Sequence, residues 1–467
     1  MSGALGRLLD RPEAATAVIR DDAGVEWTAQ DLGAAADSLE RRLRAGSLAP
    51  HEPVAVTVAN RSADLAAFFG AWKAGGVVVP IHASAAEATM RTVMERTGAR
   101  FHIIDGEIRR HADAPPPERP LLQDAALIIF TSGSTGEPKG VVIGHERLAA
   151  KLSVLRRLLR LAPADKVTLP LQLIFIFGIW VALLTLATGA QLRLVGKFTP
   201  PDMRALLPGT KVLACVPSML RALFAGGDLA APGLRAILTG GEALGPQLTA
   251  QLSRQLPSTG VYDLYGLTET GSCDFCLMPE DAAAGSNSIG RPTEGVAYRI
   301  ANEPGQAGPS AQGELLIRTP YGMLGYLDNP DLTAAAYVDG YFRTGDVARL
   351  RPDGFVEIAG RIKEIISRGG NKIAPAEIEI VLSGHPAVSQ ALCAGVPDAR
   401  LGETIHAAVV LKAGASATSE ELKEWCRSRI ERFKVPDVIH FVDSLPTGPT
   451  GKALRAGVRG LAEDRER

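Results

Sequence analysis

The sequence is poor in cysteine, in aromatic side chains and in net charge. It has 467 residues, of which five are cysteines and 5% are aromatic, and its formal net charge is −1. An odd number of cysteines in a long chain argues against a disulfide framework and favours a reducing compartment. A balanced charge offers no basic field for nucleic acid or for an anionic membrane surface. We therefore expect a cytoplasmic protein that has no nucleic-acid partner.

Long apolar runs are also scarce, and a single one approaches the length of a membrane span. Residues 173–190, LIFIFGIWVALLTLATGA, carry no charge, and about 18 apolar positions is the lower limit for a spanning helix. Gly178 interrupts this run, and no cluster of Lys or Arg flanks it. The pattern therefore favours a fully buried helix over a membrane span. The N-terminus mixes Arg and Asp with apolar residues, which is not the pattern of a signal peptide.

The chain is too long for one hydrophobic core, so we expect two or three domains. In the first part, short apolar strands such as 53–60 and 75–83 alternate with helical segments. This alternation is typical of an α/β fold with parallel sheets covered by helices. We predict a large N-terminal domain over 1–361 with two parallel-type sheets, in which about 290–361 form a β-rich subdomain. A small α+β domain is predicted over 362–467.

The most distinctive stretch is IIFTSGSTGEPKG, at residues 128–140. A short apolar strand precedes ten positions that are nearly all Gly, Ser, Thr, Pro or Lys. Glycines let backbone N–H groups approach an anion, hydroxyls add donors, and Lys139 adds charge. This chemistry suits a polyphosphate, although the spacing differs from that of a Walker loop. Many loops of this composition bind nothing, so the other motifs must decide.

Two further features have plain interpretations. Cys273 and Cys276 form a CxxC pair, but zinc or redox chemistry needs further ligands or a resolving partner, and no histidine stands at ligand spacing. Residues 147–161 have the spacing of an amphipathic basic helix, which predicts a solvated charged face. We assign neither feature a catalytic role.

Five motifs follow the polyphosphate loop in a fixed order. They begin at residues 239, 265, 341, 360 and 446 and read TGGEALG, YGLTETG, YFRTGDVARL, GRIKEIISRGGNKIAPAEIE and PTGPTGK. Each alone is ordinary loop punctuation. Together with AFFGAWKAGGVVVP and GELLIRTPYGMLGYLDNPDLTAAAY, the ordered set resembles the adenylate-forming superfamily over nearly the whole chain. That superfamily contains acyl- and aryl-CoA ligases, peptide-synthetase adenylation domains and beetle luciferases, and the chain is most similar to a stand-alone acyl- or aryl-CoA ligase.

The resemblance implies an ATP-dependent ligase that works in two half-reactions. A carboxylate attacks the α-phosphate of ATP to give an acyl-adenylate and pyrophosphate, and a thiol then displaces AMP. The implied cofactor is Mg²⁺, and the co-substrates are ATP and CoA. Because the carboxylate is already a nucleophile, catalysis consists of positioning and of neutralising charge.

The resemblance also assigns roles to individual residues. Lys452, Thr268 and Glu269 are the implied catalytic residues: Lys452 bridges nucleotide and acid, Thr268 contacts the α-phosphate, and Glu269 holds Mg²⁺. Tyr265 would stack on adenine, and Asp346 would accept the ribose hydroxyls. The remaining implied nucleotide-binding residues are Thr131, Ser132, Gly133, Ser134, Thr135, Gly136, Lys139, Gly241, Glu242 and Arg361.

Lys452 is far in sequence from the other implied catalytic residues. This separation predicts a mobile C-terminal domain that delivers Lys452 for adenylation and withdraws it afterwards. Lys363 falls at the hinge position of the family, although a plain surface lysine is the alternative. Gly369 and Gly370 would line a tunnel for the pantetheine thiol.

Residues 170–178, PLQLIFIFG, depart from the PLxHxxG pattern of the family because the histidine is missing. No Asp or Glu occurs between Lys166 and Asp202, so a substrate ammonium group would be buried without a partner. This argues against an α-amino acid and predicts an aryl or hydrophobic acyl acid. The predicted acyl-pocket residues, which could equally be plain core, are Phe175, Ile176, Phe177, Gly240 and Cys273.

Two other functions remain open at this point. The acyl group could be loaded onto the phosphopantetheine arm of a separate carrier protein, since CoA presents the same thiol. A nucleotide-binding homologue without catalysis is the second alternative, and the presence of Lys452, Glu269 and Asp346 argues against it. The identity of the acid and the choice between monomer and homodimer are not determined by the sequence.

Overall fold

The computed structural model describes residues 3–22, 24, 26–132, 138–301, 312–369, 371–446 and 454–463. The chain divides into two compact units. The first consists of Met1–Leu244, Ala250–Tyr298 and Ile317–Phe342. The second consists of Gly245–Thr249, Arg299–Leu316 and Arg343–Arg467. The domain boundary predicted at residue 361 stays a prediction.

The strands are β1 (Val18–Arg20), β2 (Glu26–Thr28), β3 (Pro53–Val58), β4 (Val77–His82), β5 (Phe101–Ile104), β6 (Glu107–Arg110), β7 (Ala125–Ser132), β8 (Pro138–Gly144), β9 (Lys166–Leu169), β10 (Gln191–Leu194), β11 (Val212–Cys215), β12 (Ala236–Gly240), β13 (Gly260–Tyr265), β14 (Phe275–Leu277), β15 (Arg291–Pro292), β16 (Ala297–Ala301), β17 (Gln312–Arg318), β18 (Gly325–Tyr326), β19 (Tyr337–Val338), β20 (Tyr341–Leu350), β21 (Val356–Arg361), β22 (Ile366–Arg368), β23 (Asn371–Ile373), β24 (Val388–Asp398), β25 (Gly402–Leu411) and β26 (Val438–Phe441).

The α-helices are α1 (Ala29–Ala45), α2 (Ser62–Ala74), α3 (Glu87–Thr97), α4 (His145–Leu159), α5 (Ile176–Ala187), α6 (Pro200–Leu206), α7 (Pro217–Ala225), α8 (Pro246–Gln255), α9 (Pro330–Ala335), α10 (Pro375–Ser383), α11 (Ser419–Arg427) and α12 (Arg455–Glu463). Their ends follow local capping chemistry. Helix α1 begins after Thr28, whose hydroxyl accepts the Asp31 N–H at 3.1 Å while the Asp31 carboxylate accepts the Thr28 N–H at 2.9 Å. Helix α2 ends at Gly75, which has a φ of +90°.

The first unit contains two large mixed sheets. The nine-stranded sheet has the order β15–β14–β13–β12–β11–β9–β10–β1–β2, and its strands from β13 to β1 are mutually parallel. The seven-stranded sheet has the order β18–β8–β7–β4–β3–β5–β6, with a parallel centre of β7, β4, β3 and β5. The predicted parallel-type sheets are therefore confirmed, with antiparallel strands added at their edges.

The remaining strands form two smaller sheets. Between Ala297 and Arg361 the chain forms a sheet in the order β16–β17–β20–β19, with β21 also paired to β20. The second unit contains the α+β segment, whose sheet has the order β23–β22–β25–β24 with β26 parallel to β25. Its helix α11 begins after Thr418, whose side chain forms a capping box with Glu421. These elements agree with the predicted change to short strands and then to a compact α+β pattern.

Helix α5 lies within residues 173–190, the apolar run that approaches the length of a membrane-spanning helix. It has 12 residues, and all of them except Phe177 are buried. Its side chains belong to the main hydrophobic cluster together with residues of both large sheets. In the described part of the chain, no helix combines the length and apolar character needed to cross a membrane.

Helix α4 was expected to turn its charged residues to solvent, but one of its cations is buried. Lys151, one of its basic residues, is fully buried, and six of the other residues of α4 are buried as well. Lys151 stands three residues after Leu148 and four before Leu155, so helical spacing places it on the apolar face, but the spacing does not identify its partners. The partners of Lys151 lie more than 100 positions further along the chain, at separations of 122 and 142 residues.

Candidate active site

Two predicted motifs lie at the carboxyl ends of the neighbouring parallel strands β12 and β13. Gly240 pairs with Leu264 in the register of these strands, and Tyr265 is the last residue of β13. A Cβ atom at Gly240 would lie 2.2 Å from the Leu264 carbonyl oxygen, so a side chain cannot be accommodated there. Ligands of open α/β sheets bind outside the carboxyl ends of the strands, which is where these motifs meet.

The segment predicted to bind adenine is a tight turn after β12. Gly241 has a φ of +81°, a conformation that glycine adopts readily. The Glu242 carboxylate accepts hydrogen bonds from the Ser218 backbone N–H at 3.1 Å and from its hydroxyl at 2.9 Å. It therefore anchors this turn to the first turn of α7. The ring of Tyr265 packs edge to face on Phe275, with 6.1 Å between ring centroids.

The loop after β13 carries Thr268 and Glu269 and then makes an unusual turn. Gly271, Ser272 and Cys273 have φ angles of +85°, +68° and +50°, so three consecutive residues adopt the left-handed conformation. The Thr270 hydroxyl donates to the carboxylate of Asp274, which is fully buried. Burial raises the pKa of Asp274 to about 6, although Lys151 and Thr270 oppose that shift.

Lys151 holds this turn from α4. Its ammonium donates to the Cys273 carbonyl oxygen at 2.7 Å and to the Thr293 hydroxyl at 3.3 Å. It also lies 5.0 Å from the centre of the Tyr321 ring, within the range of a cation–π contact. The cost of burying this cation is offset by these contacts, which fix the backbone four residues after Glu269.

The strands β7 and β8 bring the ends of the polyphosphate loop together. Thr131 pairs with Lys139 in their antiparallel register, and the Arg96 guanidinium donates to the Pro138 carbonyl oxygen at 2.6 Å. Four of the predicted phosphate-binding residues and one side chain lie outside the described residues, namely Gly133, Ser134, Thr135, Gly136 and the side chain of Ser132.

Tyr326 connects this hairpin to the loop that carries Glu269. Its hydroxyl donates to the Glu269 carboxylate at 3.2 Å. The ammonium of Lys139 lies 5.3 Å from the centre of the same tyrosine ring. The backbone adds a second link, because the Met323 N–H donates to the Glu269 carbonyl oxygen at 2.8 Å. Glu269 and Lys139, which belong to separate motifs, thus both contact Tyr326. The sequence analysis assigned no role to this tyrosine.

The donor set around Glu269 fits a magnesium ion that arrives with a nucleotide. Among the described residues, no three His, Cys, Asp or Glu side chains cluster as metal ligands. Mg²⁺ commonly uses one or two carboxylates, with substrate phosphates and water completing its shell. A cavity of about 310 Å³ lies against Glu269, and Arg147 and Tyr337 also line it. One half-buried carboxylate beside a cavity meets that requirement.

The second unit contains the residues predicted to bind ribose. Arg361 Nε lies 2.9 Å from Asp346 Oδ1, since strands β20 and β21 pair these two positions directly. The carboxylate is almost fully buried, and the Arg361 side chain is 56% exposed. The Asp346 backbone N–H donates to the Thr344 hydroxyl at 3.0 Å, which fixes the turn around Gly345.

The predicted hinge and thiol residues also lie in the second unit. Lys363 lies in a single 3-10 turn, Ile362–Glu364. Gly369 has a φ of +56° and donates its N–H to the Leu401 carbonyl oxygen at 2.7 Å. Gly370 and Lys452 lie outside the described residues.

Three of the five predicted acyl-pocket residues, Phe175, Ile176 and Phe177, lie at the start of α5. Ile176 and Cys273 are buried members of the main hydrophobic cluster, and Phe175 is 36% exposed. Phe177 stacks on Trp180 with 5.2 Å between ring centroids. The Trp180 indole N–H donates to the Ser272 hydroxyl at 3.3 Å, so α5 contacts the turn after Glu269 directly. Burial raises the pKa of the Cys273 thiol to about 12, which keeps it neutral.

Sequence reasoning missed Tyr326 and Lys151. Tyr326 stands in GYLDNP, a stretch that contributed to the resemblance without a residue-level role. The available signal was a single aromatic residue in the segment predicted to be β-rich. Lys151 did give a signal, because it stands three residues after Leu148 and four before Leu155, on the buried face of α4.

Comparisons with known proteins identify the family of this chain. The sequence matches the AMP-binding enzyme family over residues 7–327 and the AMP-binding enzyme C-terminal domain over residues 377–452. It is 32% identical to a feruloyl-CoA synthase of Amycolatopsis sp over 93% of this chain and 94% of that enzyme. It is 29% identical to the fatty acid–[acyl-carrier-protein] ligase ScoC of Streptomyces coeruleorubidus, over 93% of this chain and 92% of that one. The crystal structure of ATP-bound MatB from Rhodopseudomonas palustris has the same fold, with a TM-score of 0.89 over 100% of both chains at 23% identity. The chain belongs to the AMP-binding enzyme family.

Proposed function

We propose that this AMP-forming acid–CoA ligase activates an aryl or hydrophobic acyl acid, with CoA as the thiol acceptor. The observation that carries the proposal is the apolar surrounding of α5. No carboxylate occurs between Lys166 and Asp202, and the stacked Phe177 and Trp180 lie next to the turn that follows Glu269. A hydrophobic acid could be desolvated there without leaving a buried charge unpaired.

In the first half-reaction, the substrate carboxylate displaces pyrophosphate from the α-phosphate of ATP. We assign Thr268 to the α-phosphate and Lys139 to the leaving pyrophosphate. Lys452 would donate to the attacking carboxylate and to the nucleotide as negative charge moves between them. Bound Mg²⁺ supplies neutralisation of phosphate charge. Glu269 is the residue of this chain that would hold it.

The remaining nucleotide contacts follow from the strand ends and from the ribose pair. Tyr265 offers a ring face for adenine beside the turn at Gly241. The Asp346 carboxylate, held by Arg361 through Oδ1, would accept the ribose hydroxyls. A hydrogen bond to a charged acceptor contributes more than one between neutral groups. We expect this carboxylate to contribute strongly to nucleotide affinity.

In the second half-reaction, a thiol displaces AMP. The domain boundary at 361, the hinge at Lys363 and the thiol tunnel at Gly369 and Gly370 belong to this proposal. Glycines at these tunnel positions would let the pantetheine arm pass close to the backbone. The cytoplasmic location inferred from cysteine usage belongs to the proposal as well.

A carrier protein is the second candidate acceptor. ScoC, one of the relatives, is named for acylating a carrier protein, and this relationship favours the alternative. Basic side chains that could hold the 3′-phosphate of CoA favour the first choice, and the sequence offers Arg361, Lys363, Arg368 and Lys372. Arg368, however, is engaged by Asp437 and by the Phe433 carbonyl oxygen. This leaves fewer basic groups for CoA than the sequence offered.

The test is ATP-dependent hydroxamate formation across aryl, fatty and short dicarboxylic acids, followed by thioester assays. We expect highest turnover with an aryl or fatty acid, and thioester formation with CoA. A preference for a short dicarboxylic or amino acid would reject the substrate class. Transfer to a phosphopantetheinylated carrier but not to CoA would reject the acceptor. Phe177→Ala should raise KM for the preferred acid, whereas Phe355→Ala in the second unit should leave that KM unchanged.

A further inference from the structure

We infer that Tyr326 is a positioning residue for adenylation, which keeps the Glu269 carboxylate and the Lys139 ammonium apart and correctly placed for a metal–pyrophosphate group. The inference rests on the proposed function, because it takes Glu269 as the metal residue and Lys139 as the pyrophosphate residue. Tyr326 itself would touch neither substrate nor metal.

The backbone of Tyr326 is fixed on several sides. Strand β18 pairs with β8, so that Tyr326 lies opposite Val141. The Tyr326 N–H donates to the Thr333 hydroxyl at 2.9 Å. The following residue, Leu327, donates its N–H to the Gly140 carbonyl oxygen at 2.8 Å. With 5% of its surface exposed, the tyrosine has little freedom to leave this place.

The hydroxyl fixes one oxygen of Glu269. A phenol has a single proton to donate, and here it is directed to Glu269 Oε1 at 3.2 Å. The second carboxylate oxygen receives no hydrogen bond from the described residues and stays available to a metal.

The ring supports Lys139. The ammonium lies 5.3 Å from the ring centre, and a cation–π contact of this kind leaves its three N–H donors free for other acceptors. Within the described ranges of the chain, the Lys139 ammonium makes no hydrogen bond or ion pair. Its three N–H donors are therefore not used by the described residues.

Together these contacts prevent a competing ion pair. Lys139 and Glu269 bind the two ends of the same tyrosine side chain, yet no nitrogen–oxygen contact within 4.0 Å joins them in the described structure. A direct ion pair would have to break before a metal and a pyrophosphate could bind, and its free energy would be subtracted from nucleotide binding. The tyrosine ring takes the place of that pair.

The test compares Tyr326→Phe, Tyr326→Leu and Tyr262→Phe. Phenylalanine removes the hydroxyl and keeps the ring, whereas leucine removes both. Tyr262 is the matched control, because its hydroxyl makes no hydrogen bond to the described residues and its charged neighbours include Arg235 and Glu280 rather than Glu269. ATP binding is measured by calorimetry at limiting and at saturating Mg²⁺, and hydroxamate formation is measured under the same conditions.

We expect Tyr326→Phe to need about tenfold more Mg²⁺ for half-maximal ATP binding. A tenfold change is at the lower end of the effect expected from losing a hydrogen bond to a charged group. At saturating Mg²⁺ its ATP affinity and kcat should return to within about twofold of the wild type. Tyr326→Leu should also lose ATP affinity at saturating Mg²⁺, since Lys139 has lost the ring. Tyr262→Phe should match the wild type throughout.

A double-mutant cycle supplies a readout that a merely structural role would not move. If Tyr326 acts through Glu269, Tyr326→Phe should change the Mg²⁺ requirement of Glu269→Gln by less than about twofold. Wild-type behaviour of Tyr326→Phe at limiting Mg²⁺, or an equal loss at both Mg²⁺ concentrations, would overturn the inference. ATP binding needs no acid, so a wild type that binds ATP with Mg²⁺ but activates no acid would reject the proposed function alone.

Discussion

Arg361 and Asp346 form an ion pair of 2.9 Å between two directly paired residues of β20 and β21. The pair is asymmetric, because Asp346 is almost completely buried whereas most of Arg361 is exposed. Exposed arginines form weak ion pairs, so the arginine orients this carboxylate more than it stabilises the fold. In the proposed function, this oriented carboxylate is the acceptor for the ribose hydroxyls of the nucleotide.

Asp346→Asn should therefore weaken ATP binding much more than it lowers stability. Replacing the charged acceptor should cost about 1.5–3 kcal/mol, which corresponds to roughly a 10- to 100-fold increase in Kd for ATP. Calorimetric titration with ATP measures this change. Asp443→Asn removes an exposed carboxylate of the same unit and should leave the Kd unchanged. An unaltered Kd in Asp346→Asn would contradict the ribose assignment.

Lys452→Ala should separate the two half-reactions. Lysine neutralises charge while the carboxylate attacks the α-phosphate, whereas the thiol attacks an adenylate that already exists. We expect hydroxamate formation from acid and ATP to fall by at least about a thousandfold, the scale of a lost electrostatic contact in a transition state. Thioester formation from chemically prepared acyl-adenylate should stay within a few-fold. Equal loss in both assays would remove the role given to Lys452.

Lys151→Met should destabilise the first unit. Methionine keeps most of the volume but removes a donor to the Thr293 hydroxyl, leaves the Cys273 carbonyl oxygen with the Thr293 hydroxyl as its remaining donor, and takes away the cation near the buried Asp274. We expect a loss of about 2–4 kcal/mol in the free energy of unfolding. Urea denaturation measures it, with the exposed Lys166→Met as the control, which should change by less than about 0.5 kcal/mol. If the two variants are equally stable, the buried cation makes no net contribution to the free energy of unfolding.

Asp263→Asn should change how stability depends on pH. Burial raises the pKa of Asp263, which lies on β13, to about 7, whereas an unfolded aspartate titrates near about 3.9. Between these values the folded state holds a proton that the unfolded state has lost, so stability falls as pH rises through this range. The asparagine variant has no such carboxyl, so its stability does not fall in this way. At pH 8 its free energy of unfolding should exceed that of the wild type by on the order of 1–3 kcal/mol.

The two proteins should differ least in stability below about pH 3, where the wild-type carboxyl is neutral in both the folded and the unfolded state. Thermal or urea denaturation at a series of pH values gives the comparison. Asp10→Asn, an exposed aspartate of the same unit, should follow the wild type at each pH. If the free energies of unfolding of Asp263→Asn and the wild type depend on pH in the same way, burial does not shift the pKa of Asp263.

The parts of the fold that could be predicted are those set by local pattern. The alternation of apolar strands with helices in the first 290 residues indicated the parallel sheets, and the uncharged run ending at Ala190 indicated a buried helix. Edge strands such as β18 and β15, each two residues long, were beyond prediction. Two residues carry no periodicity, and such strands exist because a neighbouring strand offers hydrogen-bonding groups.

The residues of the candidate site also divide into those that could be predicted from the sequence and those that could not. Glu269, Asp346 and Lys139 could be named because they stand in motifs with recognisable chemistry. Tyr326 and Lys151 could not, because their importance lies in contacts across the fold. The hydroxyl of Tyr326 reaches a carboxylate 57 positions away, and Lys151 reaches a carbonyl 122 positions away. One sequence shows the chemistry of a residue, but it does not show which distant group that chemistry will meet.

The burial of α5 on every side has a consequence for biosynthesis. The helix covers residues 176–187, while several of its partners in the hydrophobic cluster, such as Leu238 and Leu264, come much later in the chain. A growing polypeptide therefore exposes a twelve-residue apolar helix until β13 has left the ribosome. Chains truncated between α5 and β13 should form inclusion bodies, and slower translation of this interval should lengthen the dependence of the nascent protein on chaperones.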